Sequence, residues 1–456
     1  MRNVELYGIG IDMRNKPELD PGFIPLHRFN EEFLKAATEP FAFAVERNDG
    51  QISVKRTFIR PGKGFEEANR YYIERLVKTE LWQKGGFRIY IQGDGGLLNV
   101  RAFDREFMSG IYRREFEIVS CEKLPEPFEI NKSVGRHFDG CRIGLDVGGS
   151  DYKVSAVIDG ETVYSHETVW HPKTNKDPAY HFGALVSALM SGAERLPRVD
   201  AIGISTAGIV ANNRLLGAQL FQMVPKEMYD LEVRDIYERA VREIGKDIPF
   251  EVANDGDVTA LTGSINLGKN NILGIAMGTS VAGGFVNKEG HIANWLSEIA
   301  FMPVDASPNA ARDNWTLDIG VAVQYFCQEA VIKLAAPAGI SLDGYGTPAE
   351  KLSAVQKLLA EGHDGAAAVF RSIGSYLGHT TPLYGDIYGT DAILLLGRVM
   401  SGEGGNIIVK AAEGVLNDEY PGVKMELIAP DEKTRRLGQS VVAASLPELR
   451  QREEKP

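Results

Sequence analysis

The sequence predicts an α/β protein of two or three domains, and three observations support this fold class. The chain has 456 residues, whereas a single domain usually holds about 100–200. Hydrophobic residues make up 44% and charged residues 25% of the chain, which excludes disordered, collagen-like and coiled-coil proteins. Segments that alternate as strands do are interleaved with segments of helical periodicity.

Charge and cysteine content limit the expected partners and compartment. The chain carries 50 Lys and Arg against 62 Asp and Glu, a net charge of -12, which is the wrong sign for binding nucleic acid through its phosphates. The cysteines, Cys121, Cys141 and Cys327, are widely spaced and predict neither a disulfide framework nor a cysteine zinc site. Apolar runs stay well short of the roughly 18 residues of a membrane span, and no targeting segment is expected. We therefore expect a cytoplasmic protein without nucleic-acid or membrane partners.

Residues 1–140 are predicted to form an α/β domain of unknown role. Positions 66–82 carry apolar residues at near-helical spacing, and 87–91 alternate as a half-buried strand does. The Gly93–Gly96 quartet is expected to be a turn, because no capped helix follows it to bind phosphate. A stretch rich in proline and charge, 124–139, is the predicted linker.

A hairpin with a glycine turn is predicted after the linker. Residues 143–147 form the first strand, 148–151 the turn and 152–157 the second strand. P-loops and dinucleotide fingerprints need a helix after their glycines, so both are excluded. Glycines nevertheless let backbone N–H groups approach phosphate oxygens, and Asp146 beside them could hold Mg²⁺. Taken alone, the pattern fits either a plain hairpin or a nucleotide site.

Two later strand ends carry polar side chains. Residues 201–210 form a predicted strand and turn, in which Ser205 and Thr206 could hydrogen-bond a polyol. Asn254 and Asp255 stand together at the end of another predicted strand. Their carboxamide and carboxylate groups can hold and deprotonate hydroxyl groups.

The segments that follow Asp255 complete the pattern. A helix is predicted over 258–263, and Asp257 is the best placed of the nearby residues to cap it. Asp255 could itself be only a helix cap. Residues 272–286 then repeat the strand, glycine turn, strand plan of the first hairpin. The chain therefore contains two candidate phosphate hairpins.

The order of these motifs resembles that of the ROK-family sugar kinases, within the actin- and hexokinase-like ATPase superfamily. The resemblance covers roughly residues 141–447. It rests on the first phosphate motif at 146–150, the Asn-Asp pair at 254–255, the second phosphate motif at 278–284, the Glu-x-Gly-His element at 297–301, and the adenosine-side strand and turn at 394–399.

The resemblance implies a duplicated two-lobe fold of the actin and hexokinase type, which is ribonuclease H-like, with an additional N-terminal α/β domain at 1–140. The first lobe would span 141–252 and the second 253–456. A C-terminal helix near 437–442 would return to the first lobe. A homodimer is also expected.

The resemblance further implies ATP-dependent phosphorylation of a hydroxyl group on a sugar or sugar derivative, with Asp255 as the general base. ATP and Mg²⁺ would be the cofactors. The implied substrate-binding residues are Ser205, Thr206, Asn254 and Glu298. The implied nucleotide-binding residues are Asp146, which would hold Mg²⁺ through the nucleotide, and Gly148, Gly149, Ser150, Gly278, Thr279 and Gly397. Glu298 could instead be a solvated loop charge.

Several departures from the family pattern leave other functions open. Ala300 and Phe301 stand where the family has Gly-His, and 305–320 contains no cysteine, so we predict no structural zinc. No helix-turn-helix pattern is present to make the chain a DNA-binding repressor. The main alternative is a sugar or nucleotide sensor of the same fold with impaired catalysis. A third hypothesis is a scaffold protein that binds a partner protein through residues 1–140.

Overall fold

The structure is a computed structural model that describes residues 4–92, 95–130, 132–293, 295–430 and 438–449. The chain divides into two compact units. The larger unit comprises Met1–Ile130, Ile275–Gly283 and Ser297–Pro430, and the smaller unit comprises Asn131–Gly274, Gly284–Leu296 and Asp431–Pro456. Each unit is described by itself below.

The described residues contain seventeen strands, numbered in chain order. They are β1 (Val4–Leu6), β2 (Ile9–Ile11), β3 (Glu39–Glu46), β4 (Ile52–Ile59), β5 (Arg88–Gln92), β6 (Glu117–Ser120), β7 (Cys141–Val147), β8 (Asp151–Ile158), β9 (Glu161–Val169), β10 (Ala201–Thr206), β11 (Ile209–Ala211), β12 (Arg214–Gly217), β13 (Phe250–Asn254), β14 (Ile272–Met277), β15 (Val281–Val286), β16 (Ala392–Leu396) and β17 (Glu426–Ile428).

The helices follow in the same order. They are α1 (Leu26–Leu34), α2 (Glu66–Lys84), α3 (Ala102–Tyr112), α4 (Pro178–Ala193), α5 (Lys226–Met228), α6 (Ile236–Ile244), α7 (Asp255–Leu267), α8 (Gln328–Ala335), α9 (Pro348–Ala360), α10 (Asp364–Tyr388), α11 (Glu403–Glu419) and α12 (Gln439–Ala444).

The smaller unit is built on a five-stranded sheet of order β13-β10-β7-β8-β9. β7, β8 and β9 pair antiparallel, whereas β10 and β13 extend the sheet parallel to β7. Every residue of β10 is buried, as expected for a strand that lies between two parallel neighbours and is covered on both faces. This arrangement confirms the ribonuclease H-like plan implied by the resemblance.

The last described helix, α12, packs directly on the central strands of this sheet. A Cβ atom on Gly144 of β7 would lie 1.8 Å from the Ser440 carbonyl oxygen, and one on Gly203 of β10 would lie 1.7 Å from that of Ala443. Only glycine permits so close an approach of helix and sheet. The predicted helix near 437–442 is therefore found at 439–444, while Leu437 lies outside the described residues.

The larger unit contains a four-stranded sheet of order β4-β3-β5-β6, formed entirely by its N-terminal part. The helix predicted over 66–82 is α2, and the strand predicted over 87–91 is β5. Gly93 and Asp94 of the predicted turn lie outside the described residues. A second sheet has the order β15-β14-β16-β17, in which the hairpin strands β14 and β15 are followed by the parallel pair β16 and β17. It partly repeats the plan of the smaller unit, as a duplicated fold requires.

The two units group the chain differently from the three segments predicted from the sequence. Residues 1–130 belong with 297–430, because their backbone and side chains are joined. The Leu26 amide donates to the Val304 carbonyl oxygen at 3.0 Å. The first stretch of the smaller unit ends at Gly274.

Candidate functional site

Polar side chains of the smaller unit meet where its parallel strands end. In the register of the sheet, Asp146 of β7 lies opposite Ser205 of β10, and Thr206 lies opposite Asn254 of β13. Asp255 is the next residue and begins α7. Ligands of open α/β sheets bind at the carboxyl ends of the strands. The structure therefore brings five of the predicted site residues to one sheet edge.

Asp146 is a partly buried carboxylate beside the first glycine turn. The Ser205 hydroxyl donates to its Oδ1 at 2.7 Å. Burial raises the pKa of Asp146 to about 6, the Ser205 hydrogen bond opposes that rise, and the nearby carboxylates Asp255 and Asp151 add to it. A carboxylate whose ionised form is disfavoured in this way gains from a bound cation. Asp146 thus has the chemistry of a Mg²⁺ ligand.

The first glycine turn is held in shape by neighbouring backbone and by Trp170. The Gly148 amide donates to the Asp151 carbonyl oxygen at 2.9 Å, and the Trp170 indole donates to the Gly148 carbonyl oxygen at 2.9 Å. A Cβ atom on Gly148 would lie 2.9 Å from the Asp151 carbonyl oxygen, so a side chain does not fit. Ser150 is exposed at the tip of the turn.

A lysine that the sequence analysis missed lies against this turn. A Cβ atom on Gly149 would lie 2.9 Å from Cε and 3.1 Å from Nζ of Lys173. Lys173 belongs to a single helical turn, Pro172–Thr174, and is exposed. It places a positive charge beside backbone amides that are predicted to face phosphate. No local pattern could have revealed it, because it follows the turn by more than twenty residues.

Asn254 caps α7, which corrects the prediction that Asp257 would do so. The Asn254 Oδ1 accepts from the Gly256 amide at 2.8 Å, and its Nδ2 donates to the Gly208 carbonyl oxygen at 2.7 Å. The helix spans 255–267 and starts three residues earlier than predicted. Because the cap side chain must precede the first helical turn, Asp257 lies too far along the helix to serve.

Asp255 therefore occupies the first helical position, where its carboxylate is partly exposed. Its Oδ1 accepts from the Gly256 amide at 2.9 Å. Burial raises the pKa of Asp255 more than backbone hydrogen bonds at the helix start lower it. The helix N-terminus favours a negative charge here. This carboxylate combines partial access with raised basicity, which suits a proton acceptor.

Ser205 and Thr206 serve the site from the core rather than from its surface. Both are fully buried. The Thr206 hydroxyl is hydrogen-bonded to the Tyr237 hydroxyl, and the Ser205 hydroxyl is used on Asp146. Both hydroxyl groups therefore have protein partners in the structure, and their predicted contact with the acceptor stays a prediction.

Gln439, the first residue of α12, links the polar groups of this edge. Its Nε2 donates to the Asp255 carbonyl oxygen at 2.9 Å and to the Thr259 hydroxyl at 3.0 Å. It also lies 3.4 Å from the Ser205 hydroxyl, which in turn donates to Asp146. Gln439 therefore connects the start of α7 to the end of β7. The sequence predicted Gln439 only as part of the C-terminal helix.

The second glycine turn and Gly397 lie together in the larger unit. The Gly278 amide donates to the Ser280 carbonyl oxygen at 2.9 Å, and the Gly278 carbonyl oxygen accepts from the Gln328 amide at 3.0 Å. Thr279 is exposed at the tip. Gly397 has a φ of +98°, and a Cβ atom on it would lie 2.5 Å from the Met277 carbonyl oxygen. Close backbone approach therefore requires glycine at 397.

Glu298, also in the larger unit, is held by the end of α2. Its amide donates to the Trp82 carbonyl oxygen at 3.0 Å, and the Ser297 amide donates to that of Gln83 at 2.8 Å. Phe301 packs with ring centroids 4.9 Å from Trp82. The Glu298 side chain is partly exposed. Residues of the N-terminal part thus position the segment that is predicted to contact the acceptor.

Comparison with solved structures identifies this architecture. No family model and no curated protein matches the chain in sequence. Its fold is similar to a ROK hexokinase from Thermus thermophilus, with 17% identity, 67% of this chain and 97% of that chain covered, and a TM-score of 0.52. The chain has the fold of the ROK family.

Other solved structures with this fold are described as proteins of different functions. A ROK-family transcriptional regulator, a homologue of the E. coli MLC protein, is 16% identical, with 68% and 79% coverage and a TM-score of 0.51. A candidate N-acetylmannosamine kinase from Listeria monocytogenes is 12% identical, with 67% and 97% coverage and a TM-score of 0.50. The ROK fold by itself therefore includes both kinases and regulators.

In this ROK-fold chain, the segment without cysteines is held by charge. Asp318 is fully buried. Its carboxylate lies 3.2 Å from Arg75 and 3.1 Å from Lys78, both of α2, and it is also paired with Arg101. Among the described residues, no group of three or more His, Cys, Asp or Glu could hold a metal ion, and no helix is long and apolar enough to cross a bilayer.

Proposed function

We propose that the protein is an ATP-dependent kinase that phosphorylates a hydroxyl group of a sugar or sugar derivative. The observation that carries this proposal is the pairing of Asp146 and Asp255 at one sheet edge, beside the glycine turn at 148–150. A carboxylate suited to a cation and a carboxylate suited to a proton stand at that edge, with β10 between their strands. Phosphoryl transfer needs both.

The residues of the smaller unit fit a nucleotide with Mg²⁺. A side chain on Gly148 would collide with backbone, so the turn is left open for phosphate oxygens, and Lys173 supplies a positive charge. Asp146 would hold Mg²⁺ through the nucleotide, while the amides of Gly149 and Ser150 would contact its phosphates. Bound Mg²⁺ would neutralise the charge that develops on the transferred phosphoryl group.

Asp255 would accept the proton of the attacking hydroxyl. In a loose phosphoryl-transfer transition state the protein contributes mainly alignment and charge neutralisation. Asn254 and Glu298 would bind acceptor hydroxyl groups. In the larger unit, Gly278 and Thr279 would contact phosphate and Gly397 the adenosine side of the nucleotide.

A regulatory sensor is the second candidate, and one observation favours it. Phe301 packs between Trp82 and Trp315 at the position where the ROK pattern has a histidine. The loss of that polar group removes an expected acceptor contact. A sensor would bind the sugar and leave the nucleotide unconsumed.

A coupled ADP-release screen of hexoses, amino sugars and polyols tests the proposal. We expect one acceptor class to stimulate ADP release well above the background hydrolysis of ATP. If no acceptor stimulates ADP release but calorimetry detects sugar binding, the protein is a sugar sensor and the kinase proposal fails. If neither release nor binding is found, both proposals fail.

The pH dependence of the reaction should report Asp146. With its pKa at about 6, kcat/KM is expected to fall as the pH drops below about 6, because protonated Asp146 cannot serve a cation. Asp146 and Asp255 influence each other's ionisation, so the apparent pKa of the acidic limb of the pH–rate profile is a property of both carboxylates together. Asp151→Asn should move the limb to lower pH, and Lys153→Met should move it to higher pH, since Asp151 raises and Lys153 lowers the pKa of Asp146. Equal profiles in both variants would contradict this assignment.

Gln439→Ala should lower kcat about tenfold, because a small misplacement of catalytic groups is costly. Gln439 positions Asp255 through its backbone and Asp146 through Ser205, so KM for the acceptor should change less than kcat. Gln92→Ala is the matched control, since Gln92 also donates to a backbone carbonyl oxygen, that of Glu122. Equal kcat in the two variants would show that Gln439 has no positioning role.

A further inference from the structure

The larger unit contains a cavity that the proposed function does not use. Its volume is about 560 Å³. It is lined by the N-terminal segments 4–6 and 19–24, by 305–311 and by the end of α8. Sites for small molecules usually measure about 300–1,000 Å³. The cavity therefore has room for one molecule of monosaccharide size.

Two of the carboxylates that line this cavity, Asp305 and Asp20, accept hydrogen bonds from the protein. Asp305 is 3% exposed; its Oδ1 accepts from the amides of Ile24 and Ser307, and its Oδ2 from the Tyr325 hydroxyl at 2.6 Å. The Asp20 Oδ2 accepts from the Tyr376 hydroxyl at 2.6 Å. A carboxylate offers about four acceptor positions, so Asp20 can take further donors.

Lys333 brings an unsatisfied donor to the same wall. Its Nζ is buried, yet it has no hydrogen-bond partner among the described residues. It lies 3.6 Å from the Asp20 carboxylate and 4.1 Å from the centroid of the Tyr325 ring. A buried charged group whose donors make no hydrogen bonds lowers the stability of the fold. The side chain lines the cavity, and its flexible four-carbon stem can turn the amine toward a ligand.

The chemistry of the wall selects the class of ligand. Among the described residues that line the cavity, Glu5, Asp20 and Asp305 are acidic and Lys333 is basic, so the wall carries more negative than positive charge and disfavours an anion. A cationic amine offers no acceptor for Lys333. A hydroxyl group donates to a carboxylate and accepts from an ammonium group at the same time. Leu6 and Leu334 supply apolar surface for C–H faces.

We propose that this cavity is a second small-molecule site, which binds a neutral polyhydroxylated molecule of monosaccharide size through Asp20, Asp305 and Lys333. The site belongs to the larger unit alone. It does not depend on Asn254 or Asp255.

Isothermal titration calorimetry on the full chain tests the site, with glucose, N-acetylglucosamine and mannitol as probes. The titrations use an Asn254→Ala, Glu298→Gln background, so that binding at the proposed acceptor site does not interfere. We expect at least one probe to bind in this background. Lys333→Met and Asp20→Asn should each weaken that binding tenfold or more, because each removes one half of the donor and acceptor pair. Lys410→Met, at an exposed lysine of α11, is the control.

Lys333→Met keeps the apolar stem but removes the positive charge beside Asp20, so its thermal unfolding is measured together with binding. Ala310→Trp fills the cavity without touching the charges and should also abolish binding. The proposal is overturned if no probe binds in the Asn254→Ala, Glu298→Gln background at millimolar concentration. It is equally overturned if Lys333→Met and Ala310→Trp bind as tightly as the control. Neither result bears on the kinase, whose test is ADP release by the wild-type chain.

Discussion

Replacing Asp255 by asparagine should lower kcat by roughly 10²–10⁴ with the fold intact, which is the usual contribution of a general base. Asparagine has the shape of aspartate and can still accept from the Gly256 amide, so the start of α7 is preserved. It cannot take up the hydroxyl proton. Because burial raises the pKa of Asp255, the ionised carboxylate is a cost to the fold, and the variant should be at least as stable as the wild type.

The measurement is steady-state ADP release with the acceptor identified in the screen, together with thermal unfolding of both proteins. Asp177→Asn is the matched control, because Asp177 also stands at a helix start and accepts from the Ala179 amide at 3.0 Å. Activity of Asp255→Asn within tenfold of the wild type would remove Asp255 from the role of base. Asp255→Ala should show the same loss.

Asp318→Ala should lower the free energy of unfolding by about 3–5 kcal/mol, the usual cost of removing one partner of a buried ion pair. Arg75 and Lys78, with side chains 7% and 2% exposed, would lose the counter-charge that they share and would keep only Glu74 and Asp104, respectively. Burial alone would raise the pKa of Asp318, but Arg75, Lys78 and Arg101 together lower it. The stabilisation is therefore present above the pKa of an unfolded aspartate and is lost as the pH falls through the lower folded value.

Urea unfolding followed by tryptophan fluorescence measures this effect, since Trp82 and Trp315 pack in the same region. The control is Glu361→Ala, which removes an exposed pair with Lys357 at 3.9 Å and should cost less than about 0.5 kcal/mol. A loss below about 1 kcal/mol for Asp318→Ala would show that the buried charges do not hold this segment. The difference between wild type and Asp318→Ala should shrink in acid.

Local patterns were enough to find the polar ends of the strands. Asp146 and the Asn254-Asp255 pair each follow a buried run, and their strands, β7 and β13, both run parallel to β10, which lies between them. The same patterns misplaced the cap of α7, because Asn254, Asp255 and Asp257 are all good caps and only the backbone distinguishes them. They did not reveal that the Ser205 and Thr206 hydroxyl groups have protein partners in the core, because alternation carries no information on hydrogen-bond partners.

Other features depended on contacts between distant parts of the chain. Lys173 reaches the first glycine turn from the segment after β9, and Gln439 reaches α7 from the C-terminal helix. The cavity beside Lys333 is formed by segments some three hundred residues apart along the chain.

The sequence by itself determined the α/β class, the two glycine hairpins and the acidic residue at the end of a buried strand, because turn chemistry and burial are read from neighbouring residues. Only the tertiary structure decided that residues 1–130 join 297–430, where α2 holds both the Asp318 and the Glu298 segments. The physical reason is that a buried charge shows no preference for its partner until folding brings the opposite charge within reach.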